Sequence, residues 1–112
     1  TLNAYQTYLQ IRPTDIDAQL DYARQLRTCS QYENAYRVLR ACVEHDPQNM
    51  QSQSDCILLA IQLDDLEGLA TRWEQLLRVH APDETRMLRR SLIKIWNLLG
   101  RNDKVIAILN DP

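Results

Sequence analysis

Apolar and aromatic residues return along this chain at a step of 34 to 36 residues, and few architectures accommodate such a step. Tyr5, Leu39 and Trp73 are separated by 34 and 34, and Leu109 follows 36 later. Tyr8, Cys42 and Leu76 keep the same 34-residue step. Leu26, Ala60 and Trp96 run at 34 and 36, as do Ala35, Leu69 and Val105. Pro13, Pro47 and Pro82 punctuate the units at 34 and 35. Agreement across several columns identifies a tandem repeat whose units cannot bury their apolar faces singly and must stack.

Within each period the apolar spacing is helical. Ala18, Tyr22, Ala23 and Leu26 share one face, and Tyr32, Ala35, Tyr36, Leu39, Cys42 and Val43 form a wide stripe. Leu66, Leu69, Ala70, Trp73, Leu76 and Leu77 form another, followed by Leu88, Leu92, Ile93, Ile95, Trp96 and Leu99. Only two glycines and four prolines occur, too few for the many turns of a strand-rich fold. The pairs Ser30 with Glu33 and Asp64 with Glu67 read as capping boxes, with Thr14 and Asp17 a related pair. Gly100 takes the matching place before the last helix. Turns this short join antiparallel helices.

In these columns the chain resembles the tetratricopeptide repeat family. The unit Ile16 to Asn49 carries Tyr22-Ala23, Leu26, Tyr32, Ala35, Leu39 and Asp46-Pro47 at the family's spacing. Residues 50–83 form a more degenerate unit, with Leu69 where the family prefers alanine and Ile57 where it prefers glycine or alanine. Residues 84–112 form a final unit, and 1–13 the second helix of a preceding one. The resemblance implies an all-α fold, a right-handed superhelical stack of antiparallel helix pairs with about six helices, and one domain over residues 1–112. Ile106, Ile108 and Leu109 are expected to be partly uncovered on the last helix.

The resemblance also implies a function. In such stacks the first helix of each unit lines a concave groove that holds a protein or peptide. Here that face presents Asp17, Leu20, Asp21, Arg24 and Arg27, then Gln51, Ser54, Asp55, Leu58 and Gln62, then Met87, Arg90, Ser91, Lys94 and Asn97. These positions lie about one helical turn apart and are mostly polar. Arg24, Arg27, Arg90 and Lys94 give the groove a basic component suited to an acidic peptide. Leu20 and Leu58 offer apolar contacts, whereas Ile61 is expected in the core. Asp21 and Asp55 stand where one subfamily places carboxylate-clamping residues, which argues against capture of a chaperone tail. Self-association through the open ends, or chaperoning of an assembly or secretion subunit, are the alternatives.

The remaining composition narrows the partner classes. A net charge of −2 disfavours nucleic acid. The longest apolar run, Cys56 to Ile61, falls far short of the roughly 18 residues of a membrane span. Cys29, Cys42 and Cys56 are odd in number and not closely paired, which favours reduced thiols and a cytoplasmic compartment, a periplasmic one being the alternative. Cys42 and Cys56 occupy core columns; Cys29 lies near a turn. His45 and His80 are 35 apart and end the second helices, where an imidazole suits the helix dipole, so no metal site is expected. With glycines only at Gly68 and Gly100, no phosphate-cradling loop and no cofactor are expected. Asp64-Asp65 and Asp83-Glu84 fall at helix starts, where capping accounts for them. No catalytic set is visible, and the chain is expected to be a binding module without enzymatic activity.

Overall fold

The computed structural model describes residues 2–110 and is all-helical over that span, apart from its turns. The order is α1 (Leu2–Ile11), α2 (Ile16–Thr28), α3 (Tyr32–His45), α4 (Met50–Gln62), α5 (Leu66–Val79), a 3₁₀ turn (Pro82–Glu84), α6 (Arg86–Leu98) and α7 (Asn102–Asn110). Among the described residues these are seven α-helices, where about six are expected. Thr1 and Pro112, the outer limits of the first and last predicted units, lie outside the described residues.

Consecutive helices pack against one another, and α4 also touches α6 across the intervening helix. One core runs through the layers. It contains Leu20, Ala23 and Leu26 from α2, Ala35, Tyr36, Leu39 and Val43 from α3, Cys56, Leu59 and Ala60 from α4, Leu69, Ala70 and Trp73 from α5, and Leu88, Leu92, Ile95 and Trp96 from α6. From α2 to α6 the repeat columns mostly supply this core, whereas their members Tyr8 on α1 and Leu109 on α7 are exposed. Ala60 and Trp96 occupy equivalent places, as do Leu39 and Trp73, so a small or aliphatic residue in one layer is answered by an indole in the next. Ile106 and Leu109 are exposed on α7, whereas Ile108 packs against the core.

The helix junctions repeat too, in a manner different from the expected capping boxes. Ser30 and Asp64 adopt φ of 62° and 55°, and Gly100 adopts 70°. Each lies just beyond a helix C-terminus. The amide of the following residue returns to the carbonyl five residues back: Gln31 to Leu26, Asp65 to Ala60 and Arg101 to Trp96, at 2.8, 2.8 and 2.9 Å. The left-handed residue's own amide bonds Arg27, Ile61 or Asn97. This is the Schellman closure, which satisfies carbonyls the helix end leaves open. Ser30 and Asp64 thus terminate α2 and α4. The N-cap positions of α3 and α5 fall to Gln31 and Asp65, and neither makes a side-chain cap bond.

True side-chain caps occur at the first helix of each of two units. Asp15 accepts from the Ala18 amide at 3.1 Å, and Asn49, 34 residues on, accepts from Ser52 at 2.9 Å. The Tyr8 hydroxyl donates to Asp15 at 2.6 Å, and this bond, then the Ala18 amide, hold the Asp15 carboxyl below its ordinary pKa. Just inside each of these helices a buried glutamine reaches back. Gln19 donates to the Pro13 carbonyl and Gln53 to the Pro47 carbonyl. Gln19 accepts from the Cys42 thiol at 3.1 Å and Gln53 from the Ser91 hydroxyl at 2.6 Å. The Pro13 carbonyl is thereby tied through α2 to α3, and the Pro47 carbonyl through α4 to α6.

Candidate binding surface

The face predicted from the first helices is only partly a surface. Asp17, Asp21 and Arg24 on α2 are exposed, as are Gln51, Ser54, Leu58 and Gln62 on α4, and Arg90, Lys94 and Asn97 on α6. Arg27 and Met87 are half-buried. Leu20, Asp55 and Ser91 are buried, and this corrects their assignment to the surface. Leu20 belongs to the core cluster. The Asp55 carboxylate accepts from the Gln51 amide at 2.9 Å. The Ser91 hydroxyl is consumed by Gln53. Ile61 departs in the other direction: expected in the core, it is 52% exposed, because Leu59 and Ala60 fill the core side of that turn. It shares the outer face of α4 with Leu58.

The exposed residues gather into clefts of opposite character. Arg24 and Arg27 of α2 meet Gln62 of α4 around a cleft of about 400 Å³, completed by Thr28 and Tyr32. Asp17 and Asp21 face the other way along α2. They line a cleft of about 650 Å³ with Asp15, Tyr5 and Tyr8. An ion pair on α2, Arg24 to Asp21 at 3.0 Å, marks the boundary between them. Both partners are about half exposed, so the pair adds little stability. Arg90 and Lys94 lie on α6, outside both clefts.

Sequence reasoning missed Thr28, Tyr32, Tyr5 and Tyr8 as cleft residues. Tyr5 and Tyr8 sit in the repeat columns of Leu39 and Cys42; Tyr5 stacks on Tyr22 with centroids 6.0 Å apart, whereas Tyr8 is exposed. The available signal was the hydroxyl, since a tyrosine at the margin of a core usually brings its polar end to water or to a partner.

The cysteines and tryptophans lie as their columns indicate. Cys42 and Cys56 are buried and Cys29 is exposed. Burial pushes the Cys42 thiol up to about 12 and raises Cys56 as well. Trp73 and Trp96 are almost wholly buried, with Arg101 and Lys104 over the Trp96 ring. His45 ends α3 and His80 caps α5, where its ring lies 3.5 Å from Glu84. Among the described residues no cluster of three His, Cys, Asp or Glu side chains could hold a metal ion, and no helix is long and apolar enough to cross a membrane.

Compared with known proteins, the chain matches no family model, and no curated protein matches it.

Proposed function

We propose that this chain is a tetratricopeptide-type module that binds a protein or peptide along the face of α2, α4 and α6, its helix pairs wound into a right-handed superhelix. The observation that carries the reading is the convergence of Arg24 and Arg27 from one repeat with Gln62 from the next around a shared cleft. A ligand seated there touches two layers at once, as an extended peptide on a repeat surface does. The basic side chains Arg24, Arg27, Arg90 and Lys94 select an acidic ligand. The buried residues do structural work only, which fits a scaffold or adaptor with no catalytic part. A cytoplasmic setting fits the three free thiols.

Panning a random peptide display library tests the reading. Acidic peptides are expected to enrich on the native chain, and the enrichment is expected to disappear when Arg24, Arg90 and Lys94 are replaced together by alanine. Unchanged enrichment on the triple variant removes the groove from the account.

A second reading, self-association, has its own observation. Ile106 and Leu109 expose 56% and 67% of their surface on α7. Sedimentation velocity over a concentration series decides it: a mass that grows with concentration supports an end-to-end contact, and a strictly monomeric mass at high concentration rejects it.

A further inference from the structure

The cleft between α2 and α4 holds more hydrogen-bond donors than the fold uses. Each of its lining residues, Arg24, Arg27, Thr28, Tyr32 and Gln62, brings a donor, and none brings a carboxylate. Two of these donors are engaged. Arg24 donates to Asp21 at 3.0 Å, and the Thr28 hydroxyl donates to the Arg24 carbonyl at 3.0 Å. Among the described residues, no side-chain hydrogen bond or ion pair engages the Arg27 guanidinium, the Tyr32 hydroxyl or the Gln62 amide. Arg27 is moreover half-buried. No carboxylate lines the cleft beside it. An anion seated between these groups supplies the missing partner.

We propose that this cleft is a receptor for a phosphomonoester, presented as a phosphorylated serine or threonine side chain of the bound peptide. The proposal rests on the peptide-binding reading above and names the chemistry its ligand carries. A carboxylate has two oxygens and one charge. A phosphoryl group has three acceptor oxygens and a charge near −2, and it can use the Arg27 fork, the Tyr32 hydroxyl and the Gln62 amide together. Arginine is the residue best matched to that geometry. Arg24 adds a second positive charge that Asp21 only partly neutralises from the exposed side. At about 400 Å³ the cleft exceeds what a carboxylate fills and lies within the range of small-ligand sites. A nucleic-acid backbone fits less well, because the adjoining cleft on α2 carries Asp15, Asp17 and Asp21 and repels a second phosphate.

The test uses the full chain and three oriented peptide libraries with a fixed central phosphoserine, glutamate or serine. Fluorescence anisotropy is expected to show the phosphoserine pool binding at least about tenfold tighter than either other pool, the scale of a charge-assisted bidentate contact. Arg27→Gln and Tyr32→Phe are expected to erase that preference, while Arg72→Gln on exposed α5 leaves it intact. A parallel NMR titration with inorganic phosphate is expected to move the Gln62 side-chain amide and the Arg27 Nε signals saturably. Equal binding of the glutamate and phosphoserine pools overturns the proposal, as does a preference that survives Arg27→Gln. Retention of a random oligonucleotide in place of the phosphopeptides overturns it too. If all three pools bind alike, the peptide-binding reading stands and the phosphate site falls. If no pool binds while inorganic phosphate still saturates Arg27 and Gln62, the anion site stands and its presentation on a peptide falls.

Discussion

Asp65 and Gly68 share one space. A β-carbon on residue 68 would overlap an Asp65 carboxylate oxygen. The other carboxylate oxygen accepts from the buried Tyr36 hydroxyl at 2.8 Å, a bond that links the start of α5 to α3. Glycine at 68 is therefore a condition of that bond. Its cost in a helix is about 1 kcal/mol relative to alanine in an interior position.

Gly68→Ala is accordingly expected to destabilise the chain in spite of the gain in helix propensity. Displacing Asp65 leaves a partly buried tyrosine hydroxyl without its acceptor, a loss of about 1–3 kcal/mol. The net effect is expected to be a loss of roughly 1 kcal/mol. The control is the Asp65→Ala background, where the same Gly68→Ala change is expected to become stabilising. Urea unfolding of the four chains measures the reversal of sign. A gain in both backgrounds refutes the shared-space account.

The three left-handed junctions give a second prediction. Ser30, Asp64 and Gly100 hold the same conformation at the same place in the repeat, yet only Gly100 has the residue type that carries it without strain. Ser30→Gly and Asp64→Gly are expected to stabilise by about 0.5–1 kcal/mol each, and Gly100→Ala to cost about 1–2 kcal/mol. Thermal melts of the single variants check the order. Loss of stability on Ser30→Gly contradicts the junction geometry.

These junctions show how far the sequence could be read. The columns through Leu39, Trp73, Ala60 and Trp96 announced the core because burial imposes a period, and a period is visible in one sequence. The helix ends were harder. Ser30 followed by Glu33 has the pattern of a capping box, and only backbone geometry reveals that the serine closes α2 and does not open α3. On the surface the spacing identified the outward face but not its interruptions. Asp55 and Ser91 have polar side chains at outward register, and each is buried because Gln51 or Gln53 supplies a partner. Gln53 was silent in the sequence, since a glutamine bonded to a proline carbonyl looks like any solvated one.

Thiol chemistry and alkaline pH give a third prediction. Cys42 is pushed up to about 12 by burial, and burial also raises Cys56 and, with the Asp65 hydrogen bond, Tyr36. All three keep their protons in the folded chain at pH values where the unfolded chain releases them. The unfolded state is then favoured as pH rises past about 8.5, the ordinary cysteine value. Stability is expected to be full below that point and to fall steadily from about pH 9 to 11. Urea midpoints at pH 7 and pH 10 test the slope. At pH 8 a disulfide exchange reagent is expected to titrate the exposed Cys29 at once, and Cys42 and Cys56 only at the rate of unfolding. Rapid titration of all three thiols contradicts the packing.

The buried glutamines give the last prediction. Gln53 is fully buried and closes two bonds, donating to the Pro47 carbonyl and accepting from the Ser91 hydroxyl. Gln53→Leu keeps the volume and removes both, leaving a carbonyl and a hydroxyl to find new partners in the interior. The expected loss is about 2–4 kcal/mol, the sum of two orphaned groups. Ser91→Ala removes only the donor and is expected to cost about 1–2 kcal/mol. In the Gln53→Leu background Ser91→Ala is expected to cost almost nothing, because the hydroxyl it deletes is already unpaired. Gln19 stands 34 residues earlier in the same position and bonds Pro13, but its second partner is the weaker Cys42 thiol. Gln19→Leu is therefore expected to cost less than Gln53→Leu. Denaturant unfolding of the double-mutant cycle measures the coupling. Additive losses at Gln53 and Ser91 show that the inter-layer tie does not contribute to stability.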